Sequence, residues 1–225
     1  MYLVNKSDCR IIEKKKLTEN VLLIKYGFIK DFEWKPGQYV GISISSSYRR
    51  SYSIYDYDGE NISFLIDIRP DGKASHYFKS AKVGNSNQIL GPYGKFSVIE
   101  NNKTKNFICT GTGIAPFIPM IKSLENKNSK IRLFFGVQKN SDDFAYEIIQ
   151  NLGIDLEYSR CVTREEPKSD DNINLIAGRV TKVLDEYNFD FMNDEFYICG
   201  APQMVEDSLK ILEGKGAKNV IYEKY

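Results

Sequence analysis

Short stretches of alternating apolar and polar residues fill the first half of the chain. Six of them have the length and composition of β-strands, at residues 9–17, 20–28, 38–44, 49–56, 61–68 and 87–94. Turn signals at 35–37, 58–59 and 70–72 separate several of these stretches. The pattern predicts a small antiparallel β-barrel. It is interrupted by one short helix at 74–81, for which Ser75 is the expected N-cap.

The second half changes to a repeat of strand, glycine turn and helix. Predicted strands at 107–110, 131–137, 154–163, 195–200 and 219–225 alternate with helices near 115–124, 144–151, 180–187 and 203–212. A long polar loop is expected between the third strand and the third helix. This order predicts a parallel sheet with helices on its faces, and ligands bind such sheets at the carboxyl ends of the strands. The polar run 100–106 divides the chain into predicted domains 1–100 and 101–225.

Composition narrows the classes of protein. The 225 residues are 42% hydrophobic and 27% charged, as in an ordinary globular protein, and the net charge of +1 argues against nucleic-acid binding by bulk charge. Four scattered cysteines without a CxxC pair and a single histidine predict no metal site, so any cofactor is expected to be organic. The charged N-terminus and the absence of a long apolar run predict a cytoplasmic protein without a membrane segment.

The predicted fourth strand contains Arg50, Ser51, Tyr52 and Ser53. Strand alternation places Arg50 and Tyr52 on one face, where a guanidinium and an aromatic ring suit a phosphate and a flat ring. Taken alone, the pattern favours an ordinary edge strand with a solvated arginine and a packed tyrosine.

The second motif, Gly72, Lys73, Ala74 and Ser75, opens the predicted helix. The free amides of a helix N-terminus bind anions, and this role is compatible with simple capping. Together with a nearby arginine, the motif predicts a site for a nucleotide diphosphate.

In the second half, Thr110, Gly111, Thr112, Gly113 and Pro116 lie between a strand and a helix. Glycines at this joint let the backbone approach a diphosphate closely. The GxGxxG spacing is absent, and a two-glycine turn is also common in a tight connection without a ligand.

Other candidates lie at the ends of the later strands. Thr163 and Arg164 end the third strand of the second half, and Arg179 follows the polar loop. Such a set can hold an extra phosphate, although loop arginines are equally often solvated. Cys199 and Gly200 end the next strand at the same edge.

Taken in order, the segments RSYS, GKAS, GPYG, GTGIAP, VTRE, YICG and a terminal EKY resemble the ferredoxin–NADP reductase family of flavoproteins. The resemblance extends from residue 36 to residue 225. It implies two domains: an antiparallel β-barrel that binds a flavin, then an α/β domain with a parallel sheet that binds the pyridine nucleotide. FAD is implied rather than FMN, with NADPH as substrate.

The resemblance also implies roles for single residues. On the flavin side, Arg50 would contact the diphosphate, and Gly72, Lys73, Ala74 and Ser75 would cap it. Tyr52 would lie against the isoalloxazine, Ser53 would reach the N5 region, and Ser51 is a further cofactor-binding residue. The terminal Tyr225 would cover the flavin face with Glu223 nearby, and Ser53, Cys199, Glu223 and Tyr225 would form the catalytic set.

For the pyridine nucleotide, the resemblance assigns the diphosphate to Thr110, Gly111, Thr112, Gly113 and Pro116, the nicotinamide to Cys199 and Gly200, and the 2′-phosphate to Thr163, Arg164 and Arg179. This chain has Gly136-Val137-Gln138 where many NADP-preferring bacterial members carry an arginine. One phosphate contact typical of the family is therefore missing.

The implied activity is reversible electron transfer from NADPH through the flavin to a ferredoxin or flavodoxin, by a monomer or weak dimer. Alternatives that share the motifs are the reductase component of a multicomponent oxygenase and a ferric or free-flavin reductase. From other classes, a flavin-bearing subunit of a larger complex, or a nucleotide-binding module without turnover, fits the same residues. No cysteine-rich iron–sulfur segment is visible, so the electrons are expected to leave to another molecule.

Overall fold

The computed structural model describes residues 5–27, 32–69, 71–168 and 173–224. The chain folds into two compact units. The first unit comprises Met1–Ser97 and Ala115–Met120, and the second comprises Val98–Ile114 and Ile121–Tyr225.

The first unit is an antiparallel sheet of seven strands in the order β4-β3-β7-β1-β2-β6-β5. The strands are β1 (Asn5–Lys16), β2 (Val21–Gly27), β3 (Tyr39–Ser45), β4 (Tyr48–Ser53), β5 (Asp56–Tyr57), β6 (Asn61–Asp67) and β7 (Ser86–Tyr93), with helix α1 (Lys73–Ser80) between β6 and β7. Tyr52 of β4 and Phe64 of β6 lie 6.5 Å apart between ring centroids. Strands near opposite ends of the sheet therefore curve towards a common core.

Apolar positions that alternate along these strands build that core. Ile24, Tyr26, Val40 and Phe64 are completely buried in it, together with Phe78 of α1. Burial of such side chains contributes roughly 1.5–3 kcal/mol each before the entropy cost of folding. The core thus fixes α1 against the sheet.

Helix α1 differs from prediction at its start. The expectation that Ser75 is the N-cap is wrong, because the N-cap is Gly72 and Ser75 is a buried residue of the first turn. The first helical hydrogen bond already runs from His76 N–H to Gly72 O at 3.0 Å. The helix therefore begins before the position at which a serine cap was expected.

The second unit is a parallel sheet of six strands in the order β11-β10-β9-β8-β12-β13. The strands are β8 (Lys105–Thr110), β9 (Ile131–Val137), β10 (Glu157–Val162), β11 (Asn174–Ala177), β12 (Glu195–Gly200) and β13 (Asn219–Lys224). The helices of this unit are α3 (Ala145–Leu152), α4 (Val183–Glu186) and α5 (Pro202–Gly214), and its 3-10 turns lie at Gly111–Ile114, Asn140–Asp142 and Val180–Lys182. Helix α2 (Phe117–Ser123) begins in the segment Ala115–Met120 of the first unit and ends in the second.

Two short strands were not predicted. Strand β5 is only two residues long and pairs with β6 alone, and β11 lies in the region expected to be a long polar loop. Both depend on pairing with a neighbouring strand rather than on their own pattern, which short segments cannot display. The predicted fold class, an antiparallel barrel-type sheet followed by a parallel α/β unit, is confirmed.

The described ranges lack membrane-spanning helices and metal-binding clusters. Among the helices placed there, none combines the length and apolar character needed to cross a membrane. Nor do those ranges contain a group of three or more His, Cys, Asp or Glu side chains arranged to hold a metal ion.

Candidate functional site

The N-terminal end of α1 presents unused backbone donors. Because the first helical bond starts at His76, the N–H groups of Lys73, Ala74 and Ser75 have no acceptor within the helix. Among the described residues, no side chain caps this end, and a Cβ built on Gly72 would meet nothing within 4 Å. The helix start is thus open to a ligand, and its dipole favours an anion.

Strand β4 lies beside α1 in the first unit. The Lys73 ammonium lies 5.7 Å from the centroid of the Tyr48 ring, and Tyr52 meets Phe78 edge to face at 5.6 Å. These contacts bring together the two motifs that the sequence placed more than 20 positions apart. Burial raises the pKa of Tyr52, so its hydroxyl stays protonated.

The two adjacent arginines of β4 point to opposite faces of the strand. The Arg49 side chain crosses Gly41, and its Nε donates to Ser43 Oγ at 3.3 Å. Alternation places Arg50 on the face of Tyr52, where the guanidinium is exposed and its charge acts on the tyrosine. In the same strand Ser51 is exposed and Ser53 is buried.

In the second unit, the 3-10 turn after β8 packs directly on the end of β12. A Cβ added to Gly113 would lie 2.3 Å from the carbonyl oxygen of Cys199. Gly200 has φ +145°, and Ala201 N–H donates to Thr110 Oγ1 at 3.3 Å. The close packing of the turn on the strand end therefore accounts for glycine at positions 113 and 200, and no ligand is needed to explain it.

The rest of this motif differs in exposure. Gly111 has φ +55°, a conformation that favours glycine, and Gly111 and Thr112 are half-buried at the carboxyl edge. Pro116 is buried and belongs to the segment that folds with the first unit. Only the first residues of the motif thus remain accessible at the sheet edge.

The last two strands bring a carboxyl group to the same edge. Glu223 of β13 is the register partner of Cys199 of β12, which in turn pairs with Cys109 of β8. Both cysteines are fully buried. In the described part of the chain, Glu223 Oε2 is a buried atom without a hydrogen-bond partner, and burial raises the pKa of this carboxyl to about 7. Such an orphaned polar atom is the kind of group that a polar ligand satisfies.

A third cluster lies at the ends of β10 and β11. Thr163, Arg164 and Arg179 are exposed, and Thr163 Oγ1 donates to Val137 O at 3.2 Å. Gly178 N–H donates to Val162 O at 2.7 Å, which extends the ladder between β10 and β11 and brings Arg179 to the same corner. The fold thus collects the predicted phosphate residues at one edge.

Two features escaped the sequence analysis. Asn140 and Glu165 join the loops that follow β9 and β10 by hydrogen bonds of 2.5 and 2.6 Å. Lys14 donates to the carbonyls of Lys79 and Ala81 at the C-terminal end of α1, at 2.9 and 2.8 Å. Neither pair has a recognisable spacing in the sequence. Tyr225, the predicted flavin cover, lies outside the described residues.

The donor sets suit the two groups that the resemblance implies. The three backbone amides at the start of α1, together with Arg50 of β4, fit a diphosphate, and the aromatic rings of β4 fit a flat ring system. At the carboxyl edge of the parallel sheet, the glycine turn 111–113 and the arginines Arg164 and Arg179 fit a phosphorylated dinucleotide. This pair of units defines a class of proteins that combine a flavin-binding barrel with a nucleotide-binding α/β unit.

Comparisons with known proteins agree with that class. Residues 8–98 match the oxidoreductase FAD-binding domain, and residues 107–210 match the oxidoreductase NAD-binding domain. The chain is 30% identical over 224 residues to the toluate 1,2-dioxygenase electron transfer component of Pseudomonas putida, with 94% of this chain and 65% of that protein covered. It is 27% identical over 231 residues to the propane 2-monooxygenase reductase component of Rhodococcus jostii, with 96% and 62% covered.

A solved structure shows the same fold. The ferredoxin NADP+ reductase from Neisseria gonorrhoeae, with bound FAD and NADP, has a TM-score of 0.84 at 18% identity, with 97% of this chain and 98% of that chain covered. The chain therefore belongs to the flavoprotein oxidoreductases that join an FAD-binding domain to an NAD-binding domain, and its fold is that of a ferredoxin NADP+ reductase, as its ordered motifs predicted. Its two domains are those for FAD and a pyridine nucleotide. The chain spans less than two thirds of the length of the two curated relatives.

Proposed function

We propose that this protein is a flavoprotein reductase that passes electrons from NADPH through FAD to a one-electron carrier of the ferredoxin or flavodoxin type. The observation that carries the proposal is the match of one chain to an FAD-binding domain followed by an NAD-binding domain. When bound, a flavin accepts a hydride and releases electrons singly. The protein's own residues bind and orient the two nucleotides.

Arg50, together with the free amides of Lys73, Ala74 and Ser75, is proposed to hold the FAD diphosphate. Charge-assisted hydrogen bonds of this kind contribute about 1.5–3 kcal/mol each. Gly72 leaves the approach to the helix start open. The Tyr52 ring, fixed by Phe78, is proposed to lie against the isoalloxazine, with Ser53 near its N5 position. Ser51 would add a contact from β4.

Glu223 is proposed to hold and move a proton at Oε2. Because burial raises the pKa of the carboxyl to about 7, both protonation states are populated at neutral pH. Its register partner Cys199 and the following Gly200 are proposed to border the nicotinamide, with Thr110 to Gly113 near the diphosphate. Tyr225 is proposed to cover the flavin.

The preference for NADPH over NADH is proposed to come from Thr163, Arg164 and Arg179. Their exposure at one corner of the sheet supports a contact with the 2′-phosphate. Gln138 stands where an arginine would add a further contact, and its side chain is exposed. The discrimination should therefore rest mainly on Arg164.

A second candidate is the reductase component of a multicomponent oxygenase. It is favoured by the names of the two curated relatives, an electron transfer component and a reductase component. Both candidates share the flavin and nucleotide sites and differ in the electron acceptor.

Three further expectations remain predictions. They are the domain limits of 1–100 and 101–225, a location in the cytoplasm, and a monomer or weak dimer as the oligomeric state.

An anaerobic titration followed by absorbance tests the proposal. Purified protein should be yellow and contain one FAD, and one equivalent of NADPH should bleach the flavin band. Ferredoxin or flavodoxin should then restore it. A colourless protein after reconstitution with FAD would overturn the proposal, and bleaching without reoxidation by either carrier would favour the oxygenase component.

A further inference from the structure

The loops that follow β9 and β10 are joined to each other by hydrogen bonds, at the edge of the parallel sheet where Arg164 and Arg179 lie. Backbone bonds continue the parallel ladder beyond the strands, from Thr163 N–H to Val137 O at 3.2 Å and from Arg164 N–H to Gln138 O at 2.9 Å. The backbone of the proposed phosphate residues is thus held by the loop that follows β9.

Asn140 reinforces this junction with its side chain and its backbone. Its N–H and its Nδ2 donate to Glu165 Oε1 at 2.5 and 2.6 Å, and Nδ2 also donates to Glu166 O at 3.0 Å. Its Oδ1 accepts from Lys168 N–H at 3.0 Å. One asparagine therefore bonds to three positions of the loop 163–168.

These bonds lie at the surface, where they contribute little to overall stability. Glu165, Glu166 and Lys168 are exposed and Asn140 is half-buried. Bonds of this kind reduce the freedom of a loop, and a side chain held on an ordered backbone loses less entropy when it binds a ligand. Hydrogen bonds from Asn140 also lower the pKa of Glu165, which keeps this acceptor ionised.

We propose that Asn140 is a positioning residue for nucleotide selectivity: with Glu165 it holds the loop so that Arg164 is presented to the adenosine 2′-phosphate. The inference rests on the proposed role of Arg164. Asn140 acts through the loop and makes no contact with the phosphate itself. The loop is thereby ordered before the nucleotide arrives.

We call the hydrogen bonds of Asn140 to Glu165, Glu166 and Lys168 the clamp. The test distinguishes the effect of the clamp on ligand binding from the effect of the Glu165 charge and from a general loss of stability. Binding of adenosine 2′,5′-bisphosphate and of 5′-AMP to the FAD-loaded protein is measured by calorimetry. Asn140→Ala should weaken bisphosphate binding about fivefold, which corresponds to about 1 kcal/mol, because the loop must then be ordered when the ligand binds. Binding of 5′-AMP, which lacks the 2′-phosphate, should stay within about twofold. The ratio of kcat/KM for NADPH over NADH should fall in parallel.

Two variants of Glu165 distinguish its acceptor role from its charge. Glu165→Gln keeps an oxygen that accepts both Asn140 bonds and should bind the bisphosphate like the wild type. Glu165→Ala removes the acceptor and should resemble Asn140→Ala. If Glu165→Gln and Glu165→Ala both tighten bisphosphate binding, the carboxylate opposes the phosphate by its charge, and the positioning role is wrong.

Asn193→Ala is the matched control. Asn193 also donates from its Nδ2 to a surface carboxylate, Asp190 Oδ2 at 2.8 Å, but within a single turn just before β12, so it joins no two loops. The Asn193→Ala substitution should change the binding of neither adenosine 2′,5′-bisphosphate nor 5′-AMP. If Arg164→Ala leaves bisphosphate binding intact, the proposed phosphate site itself fails. If Arg164→Ala weakens binding and Asn140→Ala does not, the site stands and the clamp is refuted.

Discussion

At the scale of single residues, the site depends on burial that a sequence does not reveal. The motif EKY gave Glu223 a place near the end of the chain, but its environment follows from pairing with Cys199 and from the burial of Oε2. A lone glutamate between a tyrosine and a lysine is typical of a surface position. Its shifted titration is therefore a property of the fold.

Glu223→Gln should change how stability depends on pH. The pKa of Glu223 is raised from 4.5 to about 7 in the folded state, so the folded protein holds this proton more tightly than the unfolded chain. The contribution of Glu223 to the free energy of unfolding is therefore fully present below pH 4.5 and is lost as the pH rises from 4.5 through about 7. For a half-buried carboxyl, the loss should be about 1–2 kcal/mol.

Urea unfolding of the wild type and of Glu223→Gln at pH 5 and pH 8 measures this effect. The glutamine variant should gain stability relative to the wild type at pH 8, and the gain should shrink at pH 5. A constant difference at both pH values would show that Glu223 titrates normally.

Gly113→Ala tests the contact between the turn after β8 and the end of β12. The new methyl carbon would lie 2.3 Å from Cys199 O and 2.8 Å from the α-carbon of Gly200, so the backbone must shift. We expect a loss of about 3 kcal/mol in the free energy of unfolding. Gly214→Ala, in α5 with open space around it, should gain about 0.5–1 kcal/mol. Equal effects of the two substitutions would contradict the packing argument.

At the scale of elements, β4 and α1 show which part of the site could be predicted in advance. Alternation along β4 correctly placed Arg50 and Tyr52 on one face, and the glycine and serine pattern marked a helix start. The cap was misassigned because Gly72 has no side chain to recognise, whereas Ser75 carries a favoured capping group. Contact between the two motifs is long-range, so only the fold or a family resemblance predicts it.

Arg50→Ala should weaken FAD binding about tenfold or more, since a charge-assisted bond worth about 1.5–3 kcal/mol is lost. Arg49→Ala provides the matched control, because Arg49 lies on the opposite face with Ser43. Titration of the FAD-free protein with FAD, followed by fluorescence quenching, gives both dissociation constants. Identical constants for the two variants would place the diphosphate elsewhere.

At the scale of the whole molecule, the change of rhythm near residue 100 predicted the order of the two sheets. The strand order and the short strands β5 and β11 could not be predicted, because they depend on which strands pair. Also hidden was the buried network at the amino edge of the parallel sheet. Lys105 Nζ donates to Glu195 Oε2 and Asn101 Oδ1, both at 2.6 Å, and Tyr197 OH donates to Glu195 Oε2 at 2.6 Å.

This network holds the start of the second unit. Ile99 N–H donates to Tyr197 OH at 3.0 Å, and Asn101 Nδ2 donates to Glu195 Oε1 at 2.7 Å. Burial penalises the charged form of Glu195, but the hydrogen bonds from Lys105, Tyr197 and Asn101 outweigh it and lower the pKa. The polar run that marks the predicted boundary is therefore tied to the sheet through one carboxylate.

Lys105→Met should cost about 3–5 kcal/mol, because it leaves the Glu195 carboxylate buried without its cation. The depressed pKa of Glu195 contributes stability above pH 4.5 that disappears as pH falls, so the wild type should lose more stability than the variant on acidification. The double variant Lys105→Met/Glu195→Gln should recover much of the loss at pH 7, since no unpaired charge remains. Urea unfolding of the four proteins in this cycle measures the coupling. Additive losses at pH 7 would mean that the two side chains act independently, and the proposed coupling through the buried ion pair would be wrong.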